Sequence, residues 1–201
     1  MKKFLTVLAV VSALALTGCG KADTAAQVGD MTITQAQAQS KINELLAERA
    51  KLDTSQMQLE TGNALNRSQL RFTVITEIFN EIAKELKITV STSEIEKTRT
   101  GIYEQIGGET ELAKNLVAAQ IAPSNFERYM RATIISNKLS GALALAGVAE
   151  ADVQGKISEL VQKKAKQIKV TVNPRYGTWD EASGDLIPQD SAGEAVIPST
   201  N

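Results

Sequence analysis

Few side chains in this sequence of 201 residues could carry reaction chemistry. The sequence contains no histidine and a single cysteine, Cys19. Without histidine there can be no Ser-His-Asp triad, Cys-His dyad or His-ligated metal site. The carboxylate pairs Glu77 with Glu81 and Glu109 with Glu111 are typical of solvated helix faces, and no phosphate-binding Gly-rich loop or Gly-x-Ser elbow is present. The sequence therefore predicts a protein that is not an enzyme and uses neither a cofactor nor a metal.

The residues before Cys19 have the three parts of an export signal. Two lysines are followed by an uncharged apolar stretch over residues 4–16. This stretch is too short to span a bilayer, which takes about 20 apolar residues, and it fits a secretory signal of about 7–15. The sequence Leu16-Thr17-Gly18-Cys19 resembles the lipobox of bacterial lipoproteins. This resemblance implies a signal peptide over residues 1–18 and lipid on Cys19; the alternative is an ordinary cleaved signal with an incidental cysteine.

Most of the remaining sequence has the periodicity of amphipathic helices. The clearest pattern forms one apolar face at helical spacing, made by Leu70, Val74, Ile75, Ile78, Phe79, Ile82, Ala83 and Leu86. Other helices are predicted over about 35–51, 91–106, 109–119, 123–146 and 150–166. Ser91 followed by Glu94 predicts a capping box at the start of the helix over 91–106. Residues 52–67 lose the period and include Gly62, Asn63 and Asn66, so they are predicted to form a loop; the alternative is a loop that contains a short helical turn.

Short strands are predicted near both ends of this helical region. Residues 28–34 form two extended pieces around a Gly-Asp turn, and residues 169–173 alternate until Pro174 stops the strand. We expect 169–173 to pair with 31–34 in a small two-stranded sheet that joins the two ends of the domain. Arg175 and Trp179 would then cover the edge of this sheet.

Residues outside the helical region are expected to lack fixed structure. Residues 19–26 are small and polar, as in a flexible spacer, and residues 181–201 contain acidic residues and prolines but no Lys or Arg. Without residues 1–18, which hold two lysines and no acid, 20 basic residues stand against 23 acidic ones. Because a basic patch is missing, nucleic acid is not an expected partner.

The order of these elements resembles the N-terminal domain of the SurA/PrsA chaperone-foldase family, whose helical core is akin to part of trigger factor. The resemblance covers about residues 27–180. It is carried by four segments, which are Val28–Thr34, Lys84–Ile95, Leu112–Phe126 with the following Arg131, Ile134 and Leu139, and Val170–Asp180. It implies a mainly α fold, a SurA N-terminal-like (trigger-factor-like) domain of five to six helices with the small two-stranded sheet described above.

The sequence departs from the foldases of that family in one respect. They usually carry a parvulin prolyl-isomerase domain after the long helices, whereas here residues 168–172 lead directly into the closing strand. Parvulin sites also use histidines, which this sequence lacks. The resemblance therefore implies the chaperone module without prolyl-isomerase activity.

A chaperone module needs apolar surface for its clients. The helix that carries Leu70 to Leu86 and those predicted over about 35–51 and 123–146 can pack only part of their apolar residues, which would leave a cleft or patch. The predicted client-binding residues lie outside the main apolar faces of the helices or in the predicted loop over 52–67. They are Met57, Leu59, Phe72, Tyr103 and Tyr129. The alternative for each of them is an ordinary core or surface position.

These features together predict an ATP-independent chaperone or holdase, tethered through N-terminal lipid to the extracytoplasmic face of the cell membrane. Its partners would be unfolded or extended exported polypeptides. The combination of lipidation with this module resembles the Gram-positive, including actinobacterial, arrangement. One alternative is a non-catalytic envelope lipoprotein that binds one specific partner, and another is an isomerase with an unrecognised site.

The predicted lipid anchor can be tested at Cys19. We expect the wild-type protein to incorporate labelled fatty acid and to sediment with membranes, because the diacylated cysteine supplies two acyl chains. The Cys19→Ala variant should be released into the soluble fraction without label. A variant that stayed in the membrane fraction would show that Cys19 is not the anchor.

Overall fold

The computed structural model describes residues 23–189; the predicted signal peptide, Cys19 and residues 190–201 lie outside the described residues. The expected mainly helical fold is confirmed over this range. The helices are α1 Gln35–Arg49, α2 Gly62–Glu85, α3 Thr92–Ile106, α4 Leu112–Ala118, α5 Phe126–Leu145 and α6 Glu150–Ile168. The strands are β1 Thr24–Val28, β2 Met31–Thr34, β3 Thr171–Val172, β4 Thr178–Asp180 and β5 Asp185–Ile187.

The longest helix, α2, lies at the centre of the domain and contacts α1, α5, α6 and β1. Ile75 and Phe79 of its predicted apolar face are half-buried, and Leu86 is 50% exposed. The centre of this face is buried: Leu70, Val74, Ile78 and Ile82 are each no more than 3% exposed. These side chains belong to the main core, together with residues of β1, β2, α5, α6 and the C-terminal hairpin. Packing around this one face therefore brings together elements from both ends of the chain.

Two smaller clusters extend the core on either side. The α1–α4 cluster consists of Ile42, Leu45, Leu65, Val117 and Ala122. The α3–α5 cluster consists of Ile95, Leu116, Phe126, Met130 and Ile134. Because α4 contributes to both clusters, this short helix connects α1 to α3 and α5.

The loop predicted over residues 52–67 is wrong in its second part, because α2 begins at Gly62. Gly62 and Asn63 suggested a turn, but they lie in the first turn of the helix. Leu65, one turn further on, is only 2% exposed in the α1–α4 cluster. Tertiary packing of this leucine thus overrides the weak local preference of its neighbours.

The sheet joins the two ends of the domain as expected, but its strand number and pairing differ from the prediction. It has three strands in the order β2-β1-β3, and β3 pairs with β1, with Ala26 opposite Val172. The strand 169–173 therefore does not pair with 31–34. Residues 24–26 also belong to the sheet and not to a flexible spacer, because the small side chains of Ala25 and Ala26 are buried in the core.

The disordered tail predicted from residue 181 is wrong up to residue 189, because β4 and β5 form an antiparallel hairpin. Its turn is closed by Asp180, whose carboxylate accepts hydrogen bonds from the backbone N–H groups of Ala182 and Ser183. Leu186 is buried in the main core, and Asp185 forms an ion pair with Arg71 of α2. One buried leucine and one ion pair therefore dock a segment whose composition looks unstructured.

The residues expected to cover the sheet edge hold this C-terminal segment in place. Trp179 packs against the main core, and Arg175 donates a hydrogen bond from Nη1 to Oε1 of Gln35, at 2.7 Å. Gln35 is the first residue of α1. The C-terminal segment is thus fixed to both the core and the start of the first helix.

The entrance to α3 is closed by the capping box predicted from its sequence. The Ser91 hydroxyl accepts from the Glu94 backbone N–H, and the Glu94 carboxylate accepts from the Ser91 backbone N–H. The ammonium of Lys138 on α5, with the backbone N–H and hydroxyl of Ser91, lowers the pKa of Glu94 to about 2. The cap thereby also links α3 to α5.

Docking of the C-terminal hairpin can be tested by comparing two adjacent apolar residues. Leu186→Ala should lower the free energy of unfolding by about 2–4 kcal/mol, because the side chain is 4% exposed and its removal leaves a cavity. Ile187→Ala, at a position 42% exposed, should cost about 1 kcal/mol or less. Denaturation can be followed through Trp179, the single tryptophan. Equal effects of the two substitutions would contradict a docked hairpin.

Candidate functional site

An open groove of about 380 Å³ lies between α2, α5 and the connection from α4 to α5. Its apolar lining consists of Phe72, Ile75, Phe79, Ala119, Ile121, Tyr129 and Ala132. Tyr129 is 38% exposed, and Phe72, Ile75 and Phe79 are half-buried. The groove therefore presents aromatic and aliphatic surface to solvent.

The groove arises because α2 has more apolar surface than its neighbours cover. Phe72, Ile75 and Phe79 follow each other at helical spacing beside the buried face and remain half-buried. The intervening Thr76 donates its hydroxyl proton to the carbonyl oxygen of Phe72, at 2.9 Å. Because the Thr76 hydroxyl is hydrogen-bonded within the helix, it needs no partner in the groove, and the surface around it remains available for apolar contact. Across the groove, α5 offers only the small Ala132 beside the ring of Tyr129.

A part-buried polar network, made by Arg49, Glu60, Gln69 and Gln120, adjoins one end of the groove, and the last three of these residues line it. The guanidinium of Arg49 donates to the carbonyl oxygen of Glu60 at 2.7 Å and to Oε1 of Gln120 at 3.0 Å. The backbone N–H of Glu60 donates to the same Gln120 oxygen at 2.8 Å. Nε2 of Gln69 donates to the carbonyl oxygen of Gln120 at 2.7 Å. Gln120 thus joins the end of α1, the following loop and the start of α2.

This network places acceptors at the end of the apolar groove. Burial lowers the pKa of Arg49, while the charge of Glu60 opposes that change. Glu60 Oε2 and Gln69 Oε1 are buried and have no hydrogen-bond partner within residues 23–189. The groove therefore combines an apolar wall, which binds side chains without selecting a sequence, with oxygen atoms that can accept an N–H donor.

The five predicted client-binding residues do not lie in one place. Phe72 and Tyr129 face each other across the groove. Tyr103 packs against the α3–α5 cluster, and Met57 and Leu59 pack against the α1–α4 cluster. The structure therefore brings two of the five together and places the other three on neighbouring clusters.

Several groove residues were not among those predicted. Ile75 and Phe79 belong to the predicted apolar face of α2, and the width of that face was a signal that one partner could not cover it. Ile121 follows a short helix and has no comparable signal. Glu60 and Gln120 are linked through space over 60 positions, which no local pattern of the sequence indicates.

No group of three or more His, Cys, Asp or Glu residues that could hold a metal ion occurs within residues 23–189. In this described range, no helix is both long and apolar enough to cross a membrane.

Comparison with known proteins identifies one relationship. The family model described as the SurA-like N-terminal domain matches residues 1–140, which is more than half of the chain. The matched residues include α1 to α4 and most of α5. Searches of curated proteins and of solved structures found no significant match.

The polar end of the groove can be tested at Gln120. Gln120→Ala should lower the free energy of unfolding by about 2–3 kcal/mol, because the buried Arg49 guanidinium and Glu60 N–H lose their shared acceptor. The backbone of Gln120 is left-handed, with φ at 58°. Alanine and glutamine disfavour this conformation to a similar extent, so the substitution should not change the backbone strain. Gln105→Ala, an exposed control on α3, should change stability by less than about 0.5 kcal/mol. Equal urea midpoints for the two variants would contradict a stabilising network.

Proposed function

The chain belongs to the SurA-like N-terminal domain family, and on this basis we propose that it is an ATP-independent holdase for exported polypeptides. The family is chaperone-like and extracytoplasmic in character. The holdase would bind unfolded or extended segments in the groove between α2 and α5 and release them without chemistry. The proposal includes no prolyl-isomerase activity, because the sequence has no histidine.

The observation that carries this proposal is the partly exposed aromatic lining of the groove. Phe72, Phe79 and Tyr129 lie along one open surface that a client's apolar side chains could contact. Burial of one such side chain is worth about 1.5–3 kcal/mol before the costs of ordering a flexible chain. A few such contacts give weak, reversible binding, which suits a chaperone that must release its client.

Membrane anchoring forms the second part of the proposal. Lipid on Cys19 would hold the domain where exported chains emerge, and high local concentration would compensate for weak contacts. β1 begins at Thr24, so the chain from Cys19 to the folded domain could extend at most about 17 Å. The groove would therefore work close to the membrane surface.

The groove can be tested by suppression of client aggregation in solution. The Cys19→Ala chain should suppress aggregation of several unrelated denatured proteins. Adding Phe72→Ser and Tyr129→Ser should weaken the effect by about 5-fold or more, because two apolar contacts are lost. Leu145→Ser is the matched control, since Leu145 is 93% exposed and does not line the groove.

The controls define which results contradict the proposal. Circular dichroism and thermal melting should first confirm that the variants are folded. Full activity of the double groove variant would contradict binding in the groove, and an equal loss in Leu145→Ser would indicate nonspecific surface contact. A photo-crosslinker at Phe72 would then separate two functions in cells: many crosslinked chains support a general holdase, and one product supports a dedicated partner.

A further inference from the structure

A second, smaller cavity of about 240 Å³ lies between β2, α1, α2 and α5. Within residues 23–189, no residue lines both this cavity and the groove. Met31, Ile33 and Ala38 form an apolar wall on the side of β2 and α1. The volume is below the range of about 300–1,000 Å³ usual for drug-sized ligands, so the cavity suits a small group.

Asn125 provides a buried hydrogen-bond donor at this cavity. The residue is 3% exposed and lines the cavity. Its side-chain Nδ2 is buried and finds no hydrogen-bond partner among the described residues. Its backbone N–H, by contrast, donates to the carbonyl oxygen of Ala122 at 2.7 Å. Because a buried donor without an acceptor costs stability, its presence beside a cavity suggests that a ligand supplies the acceptor.

Two cationic side chains line the same cavity. Lys41 donates to Ser124 Oγ at 2.5 Å and lies 3.9 Å from the carboxylate of Glu44. Arg128 forms an ion pair with Glu77 at 3.2 Å. Lysine has three N–H donors and arginine five, so each retains donors beyond these contacts. Within the described residues, no acidic side chain lines the cavity itself. Glu44 and Glu77 pair with its two cations from outside the lining.

From this arrangement we infer that the cavity binds a carboxylate carried on a small apolar group. Asn125, Lys41 and Arg128 would donate hydrogen bonds to the carboxylate, and the wall formed by Met31, Ile33 and Ala38 would contact the apolar part. Both the C-terminal residue of a polypeptide and a free carboxylic acid have this chemistry. The site is independent of the groove and of the proposed holdase function.

The inference can be tested with ligands that differ in one group. Titration calorimetry on the Cys19→Ala chain would compare a short peptide ending in Ala-Leu with a free carboxylate, the same peptide with a C-terminal amide, and 4-methylpentanoate. We expect the free-acid peptide to bind about 10-fold more tightly than the amide, because charge-assisted hydrogen bonds are lost in the amide. Binding of 4-methylpentanoate as well would identify the free acid as sufficient; its failure to bind would identify the peptide C terminus as the ligand.

Variants test whether the named side chains cause this preference. Arg128→Gln and Lys41→Gln should each reduce the preference to about 3-fold or less, since one charged donor is removed. Asn125→Asp, which is isosteric, should abolish it by placing a carboxylate against the ligand. Arg131→Gln, on the same helix but outside the cavity, should leave it unchanged.

Three results would overturn the inference: equal affinity for the acid and the amide, no binding of any of the three ligands, or a preference that survives in Arg128→Gln, Lys41→Gln and Asn125→Asp alike. The Phe72→Ser and Tyr129→Ser double variant should retain the acid preference. Failure of the holdase assay and failure of this test are therefore separate outcomes.

Discussion

Burial of the inner face of α2 is the interaction on which the rest of this fold depends. Leu70, Val74, Ile78 and Ile82 lie in the main core, and α1, α5, α6, β1 and β5 contact this helix. None of these elements could bury its own apolar residues alone, because each offers only one face or a short strand. The domain is therefore organised around one long helix, with the two ends of the chain brought together beside it.

The same helix explains why binding surfaces exist. A helix of 24 residues with a wide apolar face cannot be covered on all sides by partners that must also pack against one another. The groove is lined by Phe72 and Phe79 of α2 and by Tyr129 and Ala132 of α5. The smaller cavity is lined by β2 and α1 together with Thr73 of α2. The two sites differ in chemistry: the groove is aromatic and ends in acceptors, and the cavity offers donors.

The parts of the fold that could be predicted from sequence are those set by local patterns. The apolar face of α2 and the Ser91–Glu94 cap were predicted because helical spacing and capping act over a few residues. Predictions failed where distant residues decide the structure: β1 forms because β2 and β3 flank it, and the final hairpin docks because Leu186 reaches the core. For the groove, Phe72 and Tyr129 could be named, but the network around Gln120 could not, since its partners are far apart in sequence.

The position of β1 in the sheet has a mechanical consequence. In the proposed anchored form, any force between the membrane and the domain enters the fold at Thr24, the first residue of β1. This strand is hydrogen-bonded on both edges, to β2 and β3, and its alanines are locked in the core. Tension would therefore be resisted first by the hydrogen bonds of β1 to β2 and β3 and by the burial of its alanines. A client could pull on the groove, and the membrane on the anchor, through different parts of the domain.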